Sequence, residues 1–581
     1  MRALLAILLA GPVLGCSATS TPSGGSAEPG GRGASAASAV VDAEVEVVFR
    51  RVDDRRVEVS LSCAIPEDGV LTLVAAESWG GVAPCAEEIR DLRWSGEAAD
   101  AGASARPDPH RWRLEGPAGR VARAVWTLST PDDRLAVDWG DQYRPIVTRD
   151  LFHTIGAVAL VSPEHLEADA PVRISLRFDG FRGEALSSFS RGPGPHVVEL
   201  PFDRFRHAVF LAGDVRVHER EIRGAPLRVG LHGSRWAFRD GQFVDLVERI
   251  VRAERAFFAD WDHPAYLVSL VPIGADADLS FRFGGTGLTE SVALFMAPGA
   301  TLAPGMIGAA GVRRLLAHEC FHQWNGIDIG RQDPEEEAYW FSEGFTDFYA
   351  RRLLHREGIE SLDGTLRSLN RSIREYWTSP ARAAPNRAIV DGFWTDEHLK
   401  DLPYRRGDLV ALVVDQAIRE ASRGERSLDD LMRSLHAAAV ADGTRVSTAS
   451  LLAEIERRTS PDLAAHLREV VVEGATIELP ARLDEPPSIR TTRPWGAFDL
   501  GFDVEASRAA RAVTGVRPGS AAAAAGLRDG LPLHGLTAYW NDVEKPVEID
   551  VEIDGDVRRL SYLPVRDPVE IPAYRPLESA P

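Results

Sequence analysis

His318, Glu319 and His322 fall in the run His318-Glu319-Cys320-Phe321-His322, and residues of these types at this spacing could perform metal-assisted hydrolysis. On a helix four residues make just over one turn, so both imidazoles would project from one face. That suits two nitrogen ligands of one tetrahedral zinc, with Glu319 beside them to take a proton from attacking water. Two histidines at this spacing also arise by accident, so a third ligand has to be found. Glu343 is the candidate. It lies in Tyr339-Trp340-Phe341-Ser342-Glu343-Gly344-Phe345, an aromatic setting where a carboxylate is costly unless paired or metal-bound. A fourth position left to water would make the site catalytic rather than structural, with one Zn2+ per chain. Asp347, four residues beyond Glu343, shares its helix face. It is either the acceptor for the free N–H of a ligating histidine or a solvated helix acid.

These residues need helices to hold them. Residues 309–325 read as one, with Val312, Leu315, Leu316 and Phe321 as apolar content and Gly326 as its stop. Asp333-Pro334 reads as the next start, and Glu335, Glu336 and Glu337 in its first turn are explained by the helix dipole and solvent. Upstream, Phe243, Leu246, Val247, Ile250, Val251, Phe257 and Phe258 recur at helical spacing, and Tyr266 to Val271 reads as a strand. Helical patterns prevail from 308 to about 473, with Ser427 and Ser447 or Thr448 as N-caps.

The N-terminal part is different. Val45-Glu46-Val47-Val48-Phe49, Val57 to Leu61 and Val172 to Leu176 alternate with period two, and Asp68-Gly69 and Asp179-Gly180 signal turns. At 581 residues the chain exceeds a single core. The expected architecture is multidomain: a β-sandwich-like domain over 41–215, a mainly α catalytic domain over 216–478, a Pro-rich linker over 479–494 and a β-rich domain over 495–570. Ahead of these, residues 1–16 read as an export signal, too short to span a bilayer permanently. Residues 17–40, rich in Ser, Gly, Ala and Thr, read as a flexible tether. Cys63 and Cys85 either form a disulfide or are two buried free thiols, and Cys320 reads as a small apolar packing residue. The net charge of −20, from 66 basic and 86 acidic residues, argues against nucleic acid as a partner.

The pair of segments His318-Glu319-x-Phe321-His322-x-Trp324-Asn325 and Trp340-Phe341-x-Glu343-Gly344-Phe345-Thr346 resembles the glycyl aminopeptidase family of zinc peptidases, relatives of the aminopeptidase N group. The resemblance implies a thermolysin-like (Glu-zincin) catalytic domain acting on a peptide or protein substrate. It extends to Pro403-Tyr404-Arg405-Arg406-Gly407, where related enzymes have Tyr-x-Lys-Gly. Tyr404 is thereby implied as the hydroxyl that stabilises the oxyanion, with Arg406 in place of the lysine; the alternative is a tyrosine capping a helix start. Family members carry a Gly-Gly-Leu-Glu-His-like strand whose glutamate holds the substrate's free amine. Here the segment is Phe283-Gly284-Gly285-Thr286-Gly287-Leu288-Thr289-Glu290, so Gly284 and Gly285 are implied in substrate binding. Glu290 is either the displaced anchor or an unrelated exposed acid. Val513 to Leu527, with its Gly519-Ser520 turn and run of alanines, resembles a PDZ domain, either as a peptide groove or as a structural appendage. Val13-Leu14-Gly15-Cys16 resembles a bacterial lipobox, which implies a lipid anchor on Cys16 and a place in the cell envelope; the alternative is an ordinary signal peptide.

Overall fold

Alternating apolar residues build the first part of the chain into sheets. The computed structural model describes residues 43–96, 102–130, 140–234, 236–274, 283–302, 309–539 and 542–577. Residues 1–16, read as an export signal ending at Cys16, and 17–40, read as a tether, lie outside these. A six-stranded sheet runs in the order His196–Pro201, Pro171–Asp179, Glu44–Arg51, Arg56–Ala64, Val121–Ser129, Arg90–Ser95. Val45, Val47, Phe49, Val57, Val59, Leu61, Val172, Ile174 and Leu176 are all buried in one core, as period-two alternation requires. Two four-stranded sheets complete this β-rich part. Cys63 and Cys85 are separate buried thiols rather than a disulfide, each pushed up to about 12 by burial.

A mixed five-stranded sheet follows, ordered Arg216–Ile222, Ala225–Leu231, Tyr266–Pro272, Ser291–Met296, Phe283–Leu288. The last strand is an edge, antiparallel to Ser291–Met296. Helix Asp240–Phe258 buries Phe243, Val247, Ile250 and Val251 in a core shared with this sheet. Helix Ala309–Phe321 joins the same core through Val312, Leu315, Leu316 and Cys320. Beyond it lie helices Gly344–Arg356, Leu362–Thr378, Glu397–Ala421, Leu428–Asp442, Thr448–Arg458 and Pro461–Arg468. Ser427 and Ser447 cap two of them, each accepting from backbone N–H groups of the first turn. Among the described residues no helix is long and apolar enough to cross a membrane.

The Pro-rich stretch 479–494 is not a bare linker. It carries strand Arg482–Leu483 and the start of Ser488–Phe498, which pairs with Val565–Pro576 near the C-terminus. Glu485 within it is clamped by Arg352, Arg356 and Arg419 of two helices. Asn370 fixes the returning strand, accepting from the Tyr574 N–H at 2.7 Å and donating to the Tyr574 carbonyl at 2.8 Å. Between these strands a small β unit, Leu533–Thr537, Val547–Ile553 and Asp556–Tyr562, closes over its own core of Leu500, Phe502, Val513, Leu527 and Ile549.

Candidate active site

The helix Ala309–Phe321 and the turn after it set both imidazoles. Asn325 and Gly326 depart from helical geometry, Gly326 at φ 142°, where a side chain would be strained and a Cβ would lie 3.4 Å from His322 Nδ1. The break puts the Asn325 carbonyl 3.0 Å from His322 Nδ1. The Asn325 amide donates to the Phe341 and Ser342 carbonyls and to Thr346 Oγ1, at 3.0–3.2 Å, tying this turn to the segment that carries Glu343. His318 Nδ1 lies 3.1 Å from Asp347 Oδ1. With both Nδ1 atoms facing acceptors, the Nε2 atoms are left to converge. They stand 3.0 Å apart, and Glu343 Oε2 lies 3.4 Å from each. All three side chains are buried.

This arrangement fits zinc. Around a tetrahedral centre with bonds of about 2.0–2.1 Å, donors stand about 3.3–3.4 Å apart, and two imidazoles with one carboxylate form a catalytic donor set. His318, His322 and Glu343 are a group able to hold a metal ion. The electrostatics agree. Burial alone would lower His318, but hydrogen bonds to the Asp347 and Glu343 carboxylates hold it up at about 10, so the site favours positive charge. Burial would raise Glu343 and Asp347; the histidines overcome it for Glu343, and Arg314, His318 and Arg405 for Asp347, so both stay well below the usual carboxylate range.

Glu319 is fully buried beside the pair, and its Oε2 accepts the Gly287 N–H at 2.8 Å. That contact requires glycine. A Cβ at Gly287 would fall 2.5 Å from the Glu319 carbonyl oxygen and 2.7 Å from His322 Cβ. Tyr404 is buried with its ring stacked on His318, centroids 6.0 Å apart. It sits well inside helix Glu397–Ala421, which Asp396 caps, so the helix-start alternative is excluded. Two glycines allow the approach. A Cβ on Gly407 would lie 1.8 Å from the Trp340 carbonyl oxygen, and one on Gly344 would lie 2.2 Å from Gly407 Cα. Buried pairs Arg351–Asp408 and Arg352–Asp415 lock the same two helices.

Other expected residues are placed differently. Arg406 points away from the site, donating to the Arg382, Ala384 and Val471 carbonyls. Arg405 is the arginine at the site, 3.1 Å from Asp347 and 2.6 Å from Glu375. Glu335 is not solvated: it is buried and pairs with Arg331 at 3.0 Å, whereas Glu337 is exposed. Glu290 is no exposed acid either. It lies in the turn after the edge strand, 8% exposed, with Oε2 2.6 Å from His263 Nδ1. Gly284 lies opposite Phe295 in the sheet, and the Gly285 carbonyl accepts from the Tyr143 hydroxyl at 2.6 Å. Sequence reasoning missed Arg314, Arg405, Glu375 and Tyr143. Arg314, four residues before His318 on one helix face, carried a usable signal; Tyr143 comes from a turn far away in sequence and carried none.

Two imidazoles and a carboxylate at zinc spacing, with a second carboxylate beside them on an H-E-x-x-H helix, define a zinc metallopeptidase. Residues 311–391, the segment holding all three candidate ligands, match the M61 glycyl aminopeptidase family model. Among solved structures, the chain is similar to an aminopeptidase N family protein from Idiomarina loihiensis, with a TM-score of 0.64 at 17% identity over 91% of this chain and 98% of that one. It also matches an M1 zinc metallopeptidase from Deinococcus radiodurans, with a TM-score of 0.48 at 15% identity over 75% of this chain and 95% of that one.

Proposed function

We propose that this chain is an exported, lipid-anchored peptidase that removes N-terminal residues from peptides in the bacterial cell envelope. The observation that carries the catalytic part is the convergence of His318, His322 and Glu343 on one buried point, with Glu319 on the same helix and the Tyr404 ring stacked on His318. His318, His322 and Glu343 would hold the zinc, and zinc bound there supplies a Lewis acid that acidifies water and polarises a carbonyl. Glu319 takes a proton from the attacking water at its carboxylate, and the water oxygen adds to the scissile carbonyl carbon. The Gly287 N–H fixes the orientation of that carboxylate before substrate arrives. The Tyr404 hydroxyl donates to the oxyanion. Glu319 then passes its proton to the leaving nitrogen as the C–N bond breaks. Asp347 holds the His318 ring, and Arg314 and Arg405 hold Asp347.

A second reading, endopeptidase action on envelope proteins, is favoured by one observation. Glu290 is engaged by His263, and Gly287 on the edge strand offers no carboxylate for a free amine. Hydrolysis of matched peptides with free and N-acetylated termini decides between them. Cleavage confined to free amines supports the aminopeptidase; equal cleavage supports the endopeptidase. The envelope assignment rests on residues 1–16, with Cys16 as the lipidated position, and labelled-palmitate incorporation that persists in Cys16→Ala would overturn it. The small β unit with its own core is consistent with a PDZ-like peptide-binding module.

A further inference from the structure

On the far side of Arg405 from the metal centre, a cleft opens between helix Leu362–Thr378 and the C-terminal strands. Arg367, Arg371 and Arg374 line one wall from a single helix face, and Arg493 and Arg575 face them from the paired strands Ser488–Phe498 and Val565–Pro576. Among the described residues the five guanidiniums meet three carboxylates that line the cleft, Asp363, Asp542 and Glu544, and Glu375 behind Arg374. Local positive charge is therefore in excess, on a chain whose net charge is −20. The charges are graded in depth. The Arg367 side chain is 65% exposed and that of Arg493 is 42% exposed, at the mouth, whereas Arg374 is only 4% exposed, at the floor. Two of the carboxylates are spent at the mouth, Asp363 on Arg367 and Glu544 on Arg493. Burial lowers Arg371 and Arg374 from the ordinary guanidinium value, and the nearby Glu375 and Asp542 oppose it. Asn370 bonds both backbone groups of Tyr574, which holds the two walls at fixed separation.

We propose that this cleft is a binding site for a small free oxyanion of the phosphate class. Planar guanidiniums held on two walls, with Arg374 buried between them at the floor, present paired N–H donors, the geometry that recognises phosphate-type oxygens. The site is separate from the peptidase chemistry but electrostatically joined to it. Arg374 lies 3.7 Å from Glu375, Glu375 lies 2.6 Å from Arg405, and Arg405 lies 3.1 Å from Asp347, which holds His318. The anion would therefore bind at one end of a ladder of alternating charges that ends on a metal ligand.

The test is thermal unfolding of the zinc-loaded, desalted full chain titrated with inorganic phosphate, against sodium chloride at matched ionic strength, in parent, Arg371→Gln and Arg575→Gln. The expected result is a saturable rise in midpoint with phosphate alone, weakened at least tenfold in apparent affinity in both variants, with zinc content unchanged by mass spectrometry. Arg575 is exposed, so its variant keeps the test valid if Arg371→Gln does not fold. A phosphate response no larger than that of chloride overturns the proposal. So does a response that both variants retain, because that places the anion elsewhere, including at the metal. Vesicles containing phosphatidylglycerol form the last arm: cosedimentation with no response to free phosphate would move the ligand to a lipid headgroup and overturn the free anion.

Discussion

Asp347→Asn separates the role of the histidine's partner from that of the ligands themselves. Asp347 is fully buried and takes three contacts: His318 Nδ1 at 3.1 Å, Arg405 at 3.1 Å and Arg314 at 3.3 Å. Asparagine keeps the volume and an acceptor oxygen but removes the charge. The charge orients His318 and makes its Nε2 a better donor to metal, and removing such a partner typically costs about 10–100-fold in metal affinity. At roughly 1.4 kcal/mol per tenfold, that is about 1.4–2.8 kcal/mol. A stability cost accompanies it. Breaking a buried ion pair from one side costs about 3–5 kcal/mol when the orphaned charge has no other partner. Here Arg405 keeps Glu375 and Arg314 keeps the Ser368 hydroxyl at 2.8 Å, so the low end of that range is expected. Zinc affinity is read by chelator competition and stability by urea unfolding of the metal-free chain. Zinc affinity within twofold of the parent, in a variant that still folds, would refute the reasoning and leave Asp347 as a structural counter-ion for the two arginines.

Tyr404→Phe should retain full zinc content and melting temperature while kcat falls about 10²–10³-fold, the usual cost of losing one oxyanion donor; a change in KM alone would contradict this. Gly287→Ala places a Cβ 2.5 Å from the Glu319 carbonyl oxygen, so the strand must retreat. A loss of about 1–3 kcal/mol in stability is expected together with reduced kcat, measured by urea unfolding and peptide turnover. His263 is raised to about 10: burial opposes the charge, but Asp260 and Glu290 on either side favour it. Its contribution to stability is fully present below its unfolded value of about 6.5 and is lost as pH rises toward about 10. His263→Gln should therefore destabilise most near pH 6 and converge with the parent near pH 10, as urea midpoints across that range would show.

Much of the site could be read because helical spacing projects residues directly into space. His318, His322 and Glu319 follow from one turn of helix, and Asp347 falls one turn beyond Glu343. Residues governed by helix phase or distant partners could not be read. Arg405 and Arg406 are adjacent and chemically alike. Only the start of the helix at Glu397, running on through Pro403, decides which one faces Asp347. Glu335 looks like a first-turn acid, but Arg331, folded back through the turn after the metal helix, captures it. Glu290 reads either as a displaced amine anchor or as an exposed acid, and nothing in the pattern shows His263, 27 residues away in sequence, brought against it. The stretch 479–494 has the composition of a tether, and its order depends on arginines more than sixty residues distant. The β-rich first part was legible because alternation depends only on neighbouring positions, whereas the order of its six-stranded sheet depends on contacts the pattern does not encode.

The central claim is that Glu319 moves the proton at a zinc held by His318, His322 and Glu343. Its most direct test is zinc content and peptide turnover of the parent beside Glu319→Gln. Near-stoichiometric zinc in both, with turnover only in the parent, is the predicted result. A parent without zinc, or a Glu319→Gln chain that still cleaves at the parental rate, would contradict it.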